Sequence, residues 1–272
     1  MKIDAKKFRG YISKVTMNAV IDMVVLNFTA EGVVVRAKTL DNTSAGFGLL
    51  KTNAFQGYEA VGEIGIKNVK TLIDMLKTMT GVIDLVLQGN KFVLSNEKQL
   101  WSLTTASKDY IANHLEQEMA APFDGGVNIN PAVLKTAMGN KTIVAGDIMV
   151  LECINKVISL STVSSDSTNV SSVKEVCDYK DFNSKFGAAL DSAIAVLDTT
   201  VNMACADSFP IRFIESTEDY IVKLLVAPMD EEKVEDVKPE VETPVPVAPV
   251  PSVPIPAPEA IPTPEVVQPT TV

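Results

Sequence analysis

Residues 231–272 limit the part of this chain that can fold around a core. They hold 11 of the 15 prolines, with 8 acidic and 2 basic residues. Such a segment cannot bury enough apolar surface to form a core, so an extended, solvated tail is predicted. The break at Ala227-Pro228 ends the last strand pattern. The folded body is therefore expected within residues 1–230, a length that suits about two domains.

Within this body, the same order of helices and strands occurs twice, with matching elements about 120 residues apart. Apolar residues at helical spacing predict helices over 4–16 and 67–78, and then over 131–139 and 184–197. Alternating patterns predict hairpins over 23–36, 82–95 and 147–162, and single strands over 45–52, 58–65, 99–105, 127–129, 173–179, 200–206, 209–215 and 220–226. Residues 106–124 show neither period. We predict an α+β fold of two topologically similar domains, with domain 1 at 1–105, a connector at 106–124, domain 2 at 125–230 and the tail at 231–272.

The net charge of −10 is unevenly distributed. The tail carries −6, whereas the body holds 26 acidic against 22 basic residues. Basic residues outnumber acidic ones in the predicted helices taken together. Two interpretations stay open at this point, since helix surfaces tolerate lysine and a basic helical surface also suits phosphate.

The residue types argue against an enzyme and against a metal site. The single histidine, His114, lies in the connector, and the three cysteines, Cys153, Cys177 and Cys205, are scattered along strand-like segments. No Ser-His-Asp, Cys-His or spaced zinc constellation can be assembled from them, and no glycine-rich phosphate loop joins a strand to a helix. No catalytic residue, metal or cofactor is predicted. The sequence has no apolar run of about 18 residues and no signal-peptide pattern, so an intracellular protein with no membrane partner is expected.

Three short motifs carry a resemblance to a known family. The body ends in LVAP (225–228) followed by DEE (230–232), the penultimate strand reads SFPIRF (208–213), and a loop in the first half reads TLDNTSA (39–45). In this order, and on a duplicated layout, these motifs resemble the DNA sliding clamps of the proliferating cell nuclear antigen (PCNA) type. The resemblance covers residues 1 to 232.

The resemblance implies a ring, usually of three identical subunits, with sheets outside and short helices lining a central hole. Such a ring encircles duplex DNA without reading its sequence and acts as a polymerase processivity factor in replication and repair. Its partners would be double-stranded DNA, a DNA polymerase, other proteins with clamp-binding motifs, a clamp loader and further copies of the chain. It would work at the replicating DNA, in cytoplasm or nucleus. The residues implied to face DNA are Lys6, Lys7, Arg9, Lys14, Lys67, Lys70, Lys77, Lys135, Lys141 and Lys185.

The resemblance also implies a pocket for partner peptides under the connector and a contact between edge strands of neighbouring subunits. The implied pocket residues are Leu40, Ser44, Ala45, Leu115, Met119, Pro210, Leu225, Ala227 and Pro228. Two positions depart from the family pattern, because Leu225 stands where many relatives have tyrosine and Ser44 where some have histidine. The implied subunit contact comprises Trp101 and Leu103 on one strand with Val173 and Val176 on the other, although Trp101 also suits an ordinary core position.

A second function within the same fold stays open. The chain could be a clamp-like accessory factor, or a damage-signalling ring subunit, that acts as a monomer or in a hetero-oligomer. The mass of the protein in solution distinguishes these alternatives from a homotrimeric ring.

Overall fold

Residues 1–119 contain two helices and nine strands. The computed structural model describes residues 1–119, 126–143, 146, 148–163, 168–176, 181–206 and 209–229. The elements of the first half are β1 (Lys2–Asp4), α1 (Ala5–Val15), β2 (Val24–Thr29), β3 (Gly32–Lys38), β4 (Ser44–Lys51), β5 (Phe55–Gln56), β6 (Gly62–Ile66), α2 (Val69–Thr78), β7 (Val82–Gln88), β8 (Lys91–Ser95) and β9 (Leu100–Thr104). Short 3-10 turns at Thr52–Ala54 and Lys108–Tyr110 follow β4 and β9.

The second half repeats this order. Its elements are β10 (Val127–Ile129), α3 (Pro131–Ile143), β11 (Ile148–Ile154), β12 (Val157–Val163), β13 (Thr168–Val176), β14 (Phe182–Phe186), α4 (Ala188–Ala195), β15 (Val201–Ala204), β16 (Ile211–Ser216) and β17 (Tyr220–Val226). Apart from the two-residue strand β5, each element of one half has a counterpart in the other. The duplicated α+β layout predicted from the sequence is therefore present.

Strand pairing also repeats between the halves, and one pairing joins them. The first half pairs its strands in the orders β6-β2-β3-β4 and β1-β7-β8-β9, and the second in the orders β14-β11-β12-β13 and β10-β15-β16-β17. Antiparallel pairing of β4 with β17, from Ser44↔Val226 to Leu50↔Tyr220, fuses one sheet of each half into a sheet of eight strands. Contacts within 1–230 form one compact unit. The domain limits at 105 and 125 remain predictions.

Helices α1, α2 and α3 each begin after a residue whose side chain accepts a hydrogen bond from the first turn. The Asp4 carboxylate accepts a hydrogen bond from the Lys7 backbone N–H at 3.0 Å, and Asn68 does the same for Thr71 at 2.9 Å. Pro131 opens α3 after Asn130, whose side chain accepts from the Ala132 N–H at 2.9 Å. The residues that α1 and α2 bury at helical spacing are Phe8, Tyr11, Ile12 and Val15, and Val69, Leu72, Ile73 and Leu76.

Helix α1 lies directly on one face of β4. A Cβ atom at Gly46 would stand 1.9 Å from the Val15 carbonyl oxygen, and one at Gly48 would stand 2.9 Å from the Tyr11 ring. Only glycine permits this close approach. Because side chains alternate along a strand, Ala45 and Phe47 point to the opposite face, so β4 has helices on one side and a separate surface on the other.

One predicted helix begins later than its pattern indicated. The helix expected over 184–197 starts at Ala188, and Phe182–Phe186 instead forms β14, which pairs with β11. The side chains of β14 alternate between buried and exposed, which is the period of a strand. The Phe186 ring is buried, as the helical pattern also predicted, but through this alternation. Lys185 therefore lies on a strand and not on a helix.

Some sequence predictions concern residues outside the described ranges. These are the tail, the DEE motif at 230–232, Ser208, Cys177, the end of the connector at 120–124 and the end of the strand predicted at 173–179. No helix in the described part of the chain is both long and apolar enough to cross a membrane. The described residues also contain no cluster of three His, Cys, Asp or Glu side chains that could hold a metal ion.

Candidate functional site

The sheet face opposite the helices carries an apolar groove. A cavity of about 190 Å³ lies between the loop before β4, the connector and the end of β17. All the predicted pocket residues except Leu40 and Pro228 line it, together with Lys38, Asn42 and Thr43. Leu40 lies at the tip of the loop with 65% of its surface exposed, and Pro228 follows the lining residue Ala227.

The connector is held against the sheet and forms one wall of this groove. The Leu115 N–H donates to the Arg36 carbonyl and the Lys38 N–H donates to the Asn113 carbonyl, both at 2.9 Å. The Leu115 side chain packs on the buried cluster of Ala45, Phe47 and Leu225. The sequence could not have fixed this register, because the connector shows no periodic pattern and its contacts are with distant strands.

The loop that forms the opposite rim is rigidly folded. The Asp41 carboxylate accepts hydrogen bonds from the Thr43 N–H at 3.0 Å and from the Thr43 hydroxyl at 2.8 Å. The Thr39 side chain, followed by these two bonds from Thr43, holds the pKa of Asp41 below its ordinary value. The Ala227 N–H donates to the Thr43 carbonyl at 2.8 Å, which ties the loop to the chain after β17. The buried Ser44 hydroxyl in the wall has no hydrogen-bond partner among the described residues.

The residues that the groove prediction missed lie in this loop and at the end of β3. Lys38 ends β3, and its ammonium donates to the Asn42 side-chain oxygen at 2.6 Å. Asn42 adopts a left-handed backbone conformation with φ of +61°. Asn42 and Thr43 are part of the TLDNTSA motif, so that motif was the available signal for them.

Most of the lysines predicted to face DNA have a carboxylate close by. Lys70 and Lys77 both bind Asp74, at 2.8 and 3.1 Å, and both bonds lower the pKa of the Asp74 carboxyl. The other pairs are Lys7–Asp219 at 2.7 Å, Lys135–Asp198 at 3.6 Å and Lys141–Asp191 at 2.7 Å. Lys67 lies 5.4 Å from the centre of the Tyr110 ring. Among the described residues, Lys6 and Arg9 have no carboxylate partner within 4.0 Å.

The prediction for Lys14 is wrong, because its ammonium is buried. Only 5% of Lys14 is exposed, and its Nζ donates to the Val196 carbonyl at 2.6 Å, to Asp198 at 2.8 Å and to Glu215 at 3.1 Å. These three acceptors use all three of its donors. Lys14 therefore cannot contact a phosphate without dismantling these bonds.

The carboxylate of Glu215 in this cluster also has hydrogen-bond donors at both of its oxygens. The second oxygen of Glu215 accepts from the Thr199 hydroxyl and the Tyr220 hydroxyl, each at 2.9 Å, and from the Thr199 N–H at 3.3 Å. Burial, followed by the nearby charge of Glu215, raises the pKa of the Tyr220 phenol. Burial alone would raise the pKa of Asp198, but the hydrogen bond and charge of Lys14 outweigh it and lower that pKa.

A cleft on the helical side brings some of the predicted cations together. It has a volume of about 430 Å³ and lies between α1, the end of α2 and the end of α4. Arg9 and Lys77 line it with Ser13 and Asn18, while Asp198 lies at its far wall. The two helices of the first half therefore present cations to one surface.

Both strands predicted to contact a neighbouring subunit lie at sheet edges. Strand β9, with Trp101 and Leu103, pairs only with β8, and β13, with Val173 and Val176, pairs only with β12 among the described strands. Trp101 stands opposite the buried Leu94, so it lies on the core-facing side of β9 although 36% of it is exposed.

Solved structures with the same fold come from clamps. The chain superimposes on A. fulgidus PCNA, which was solved with the C-terminal region of FEN-1 bound, with a TM-score of 0.73 and 12% identity over 85% of this chain and 98% of that one. For PCNA from Entamoeba histolytica the TM-score is 0.70, with 17% identity over 84% and 97% of the two chains. The chain has the fold of the DNA sliding clamps.

A third clamp structure matches equally completely. It is the PCNA2–PCNA3 complex from Sulfolobus tokodaii, with a TM-score of 0.65 and 18% identity over 85% of this chain and all of that one. Neither a protein-family model nor a curated protein matches the sequence. The likeness is therefore one of fold, at 12 to 18% sequence identity to these three structures.

Proposed function

We propose that this chain is the subunit of a ring-shaped sliding clamp that encircles duplex DNA and tethers a DNA polymerase and other proteins to it. In this proposal the protein is a non-catalytic scaffold built from three copies of the chain.

The observation that carries the proposal is that the two strands that join the halves of the chain have counterparts at free sheet edges. Inside the chain, β4 of the first half pairs with β17 of the second. The counterparts of these strands, β13 and β9, are both edge strands. Pairing of β9 in one copy with β13 in the next would repeat the internal joint between copies. Such a head-to-tail contact forms a closed ring when its rotations sum to a full turn.

The edge at β9 has the apolar surface that such a joint requires. Trp101 and Leu103 stand opposite Leu94 and Phe92, which are both buried, so the core-facing side of the sheet continues to the edge. An edge strand with apolar side chains is a template for pairing with another chain. A second copy would cover both side chains and extend the core across the joint.

The helical face suits sequence-independent contact with DNA. Lysine and arginine side chains on α1 and α2 contact phosphates without reading bases, which allows a ring to slide. After removal of the buried Lys14, the proposed DNA-facing residues are Lys6, Lys7, Arg9, Lys67, Lys70, Lys77, Lys135 and Lys141 on the helices or just before α2, and Lys185 on β14. Because most of these cations have a carboxylate nearby, direct attraction to DNA should be weak and the closed ring should provide retention.

The groove under the connector suits a short peptide with apolar anchors. Most of its lining is apolar, with Leu115, Met119, Pro210 and Leu225 among the larger side chains, while Lys38, Asn42 and Thr43 supply polar groups. Grooves of this type bind through a few anchoring side chains. Tethering a polymerase there would raise its effective concentration at the DNA.

The mass of the protein in solution tests this proposal. Size-exclusion chromatography with light scattering should give three times the chain mass of 29.2 kDa at micromolar concentration. Leu103→Lys, which puts a charge into the proposed joint, should shift the mass toward one chain. Val86→Lys, a matched change at an exposed position of the same sheet, should leave the mass unchanged. A monomeric wild-type protein would instead support the accessory-factor alternative.

A further inference from the structure

The buried cluster around Lys14 connects the two halves of the body. Lys14 belongs to α1, whereas Val196, Asp198 and Glu215 belong to the second half, with Glu215 201 positions away from Lys14 in the sequence. Glu215 lies on β16, next to β17, and β17 forms the joint with β4. The pairing of β4 with β17 thus links the halves within the sheet. Helix α1 adds a second link on the helical side, through the buried Lys14 cluster and the more exposed Lys7–Asp219 pair.

A link within the sheet and a second link on the helical side together fix the angle between the two halves, which a single link would leave free. A single antiparallel ladder can twist and bend about its own axis. A second contact on the helical side resists that bending, particularly when the ammonium is held by three acceptors at defined positions. Buried ion pairs contribute little net stability compared with apolar replacements, so a role in defining geometry is the better physical reason for this one.

The corresponding positions in the counterpart elements are not an ammonium and a carboxylate. Counted from the starts of α1 and α3, Lys14 corresponds to Asn140. Strand β16 corresponds to β8. The last residue of β16, Ser216, pairs with Ile221, as the last residue of β8, Ser95, pairs with Leu100. Glu215 and Leu94 each lie one residue earlier, so they occupy corresponding positions. An amide and an aliphatic side chain replace the ammonium and the carboxylate. The joint within the chain is therefore built differently from the one proposed between copies.

We propose that Lys14 and Glu215 are positioning residues that lock the joint between the two halves, so that each subunit is a rigid arc of fixed curvature. This inference rests on the proposed ring. In a ring of such arcs, bending and opening are confined to the β9–β13 joints between subunits, because the joints within subunits are locked.

The test removes both charges of the pair together. Lys14→Met alone would leave Glu215 as a buried unpaired charge and would destabilise the whole fold. Lys14→Met with Glu215→Gln is neutral and keeps an oxygen acceptor for Thr199 and Tyr220. The matched control is Lys2→Met with Asp84→Asn, because Lys2 and Asp84 form a cross-strand pair at 3.7 Å that is exposed on both sides.

Hydrogen–deuterium exchange on the full-length protein measures how often the joint between the two halves opens. In Lys14→Met/Glu215→Gln, the amides of the β4–β17 ladder should exchange about 10-fold faster, while those of the β7–β8 and β11–β12 ladders stay as in the wild type. The dissociation constant of the ring, measured by light scattering on dilution, should rise about 10-fold although neither residue lies on β9 or β13. The Lys2/Asp84 control should change neither quantity.

Two results would overturn the lock. One is a β4–β17 ladder that exchanges as slowly in the neutral pair as in the wild type. The other is equal acceleration of all three ladders, which would make the pair a general stabiliser of the fold. A wild-type protein that proves monomeric would contradict the proposed ring and the rigid-arc role with it, whereas exchange in the β4–β17 ladder would still report whether the joint is locked.

Discussion

The turn of the β11–β12 hairpin holds two residues in the left-handed backbone region. Asn155 has φ of +51° and Lys156 has φ of +64°. Two-residue turns of this form favour glycine at the second position, because a Cβ atom is disfavoured there. Lys156→Gly should therefore raise the free energy of unfolding by about 1 kcal/mol, measured by urea denaturation.

The hairpin between β7 and β8 provides the reciprocal control. Its Gly89 has φ of +59°, so Gly89→Ala should lower the free energy of unfolding by about 1 kcal/mol. If Lys156→Gly destabilises the protein to the same extent as Gly89→Ala, then side-chain contacts of Lys156 and not backbone strain govern that turn.

Lys14 shows the limit of sequence reasoning at the scale of a residue. Helical period correctly placed Phe8, Ile12 and Val15 inward, because apolar side chains report burial by their own chemistry. Lys14 had the chemistry of a surface residue, and its burial depends on Glu215 and Asp198 in the other half of the chain. No local pattern in α1 contains that information.

The groove is formed by three separate elements, and the connector contributes the side chain that closes it. Leu115 packs on Ala45, Phe47 and Leu225 and is only partly buried. Under the proposed function, Leu115→Ala should remove an apolar contact and weaken binding of a clamp-binding-motif peptide about 10-fold, measured by fluorescence anisotropy. The thermal midpoint should change little, because the side chain lies at the edge of the core.

Val86→Ala is the matched aliphatic truncation for that experiment. Val86 is 40% exposed and lies on β7, away from the groove, so peptide affinity should stay at the wild-type value. Equal affinity for wild type and Leu115→Ala would rule out the groove as the peptide site, provided that the wild type binds the peptide.

Elements with strong local signals were predictable, and those defined by distant contacts were not. The apolar face of each first-half helix predicted α1 and α2 to within a few residues. The helix predicted over 184–197 includes the last three residues of β14, because Phe186 also fits a helical period with Leu190 and Ile194. The strand conformation of β14 follows from pairing with β11, which the sequence of β14 does not contain.

At the scale of the whole molecule, the duplication was the most informative feature of the sequence. The order of elements predicted the repeated layout, and the short motifs added the resemblance to clamps. The pairing of β4 with β17 could not be predicted without the structure, because it joins residues 170 to 182 positions apart. That pairing in turn motivates the proposal that copies join through the counterpart edge strands β9 and β13.

A closed ring on DNA should be retained by topology more than by charge. Rings assembled from diluted subunits in the presence of a closed circular duplex should stay with the DNA through gel filtration, because the circle has no end. Linearising the same circle with a restriction nuclease should release them, since direct attraction to phosphate is weak when most cations have a carboxylate nearby.

Neutralising two cations that have no carboxylate partner among the described residues separates the charge attraction to DNA from retention by the closed ring in that experiment. Lys6→Gln with Arg9→Gln should reduce the slope of log affinity against log salt for linear duplex by up to about two units per subunit. The matched change Lys70→Gln with Lys77→Gln should reduce it less, because both lysines already bind Asp74. Both variants should remain on the closed circle. Release of the wild-type protein from intact circles as fast as from linear DNA would contradict an encircling ring.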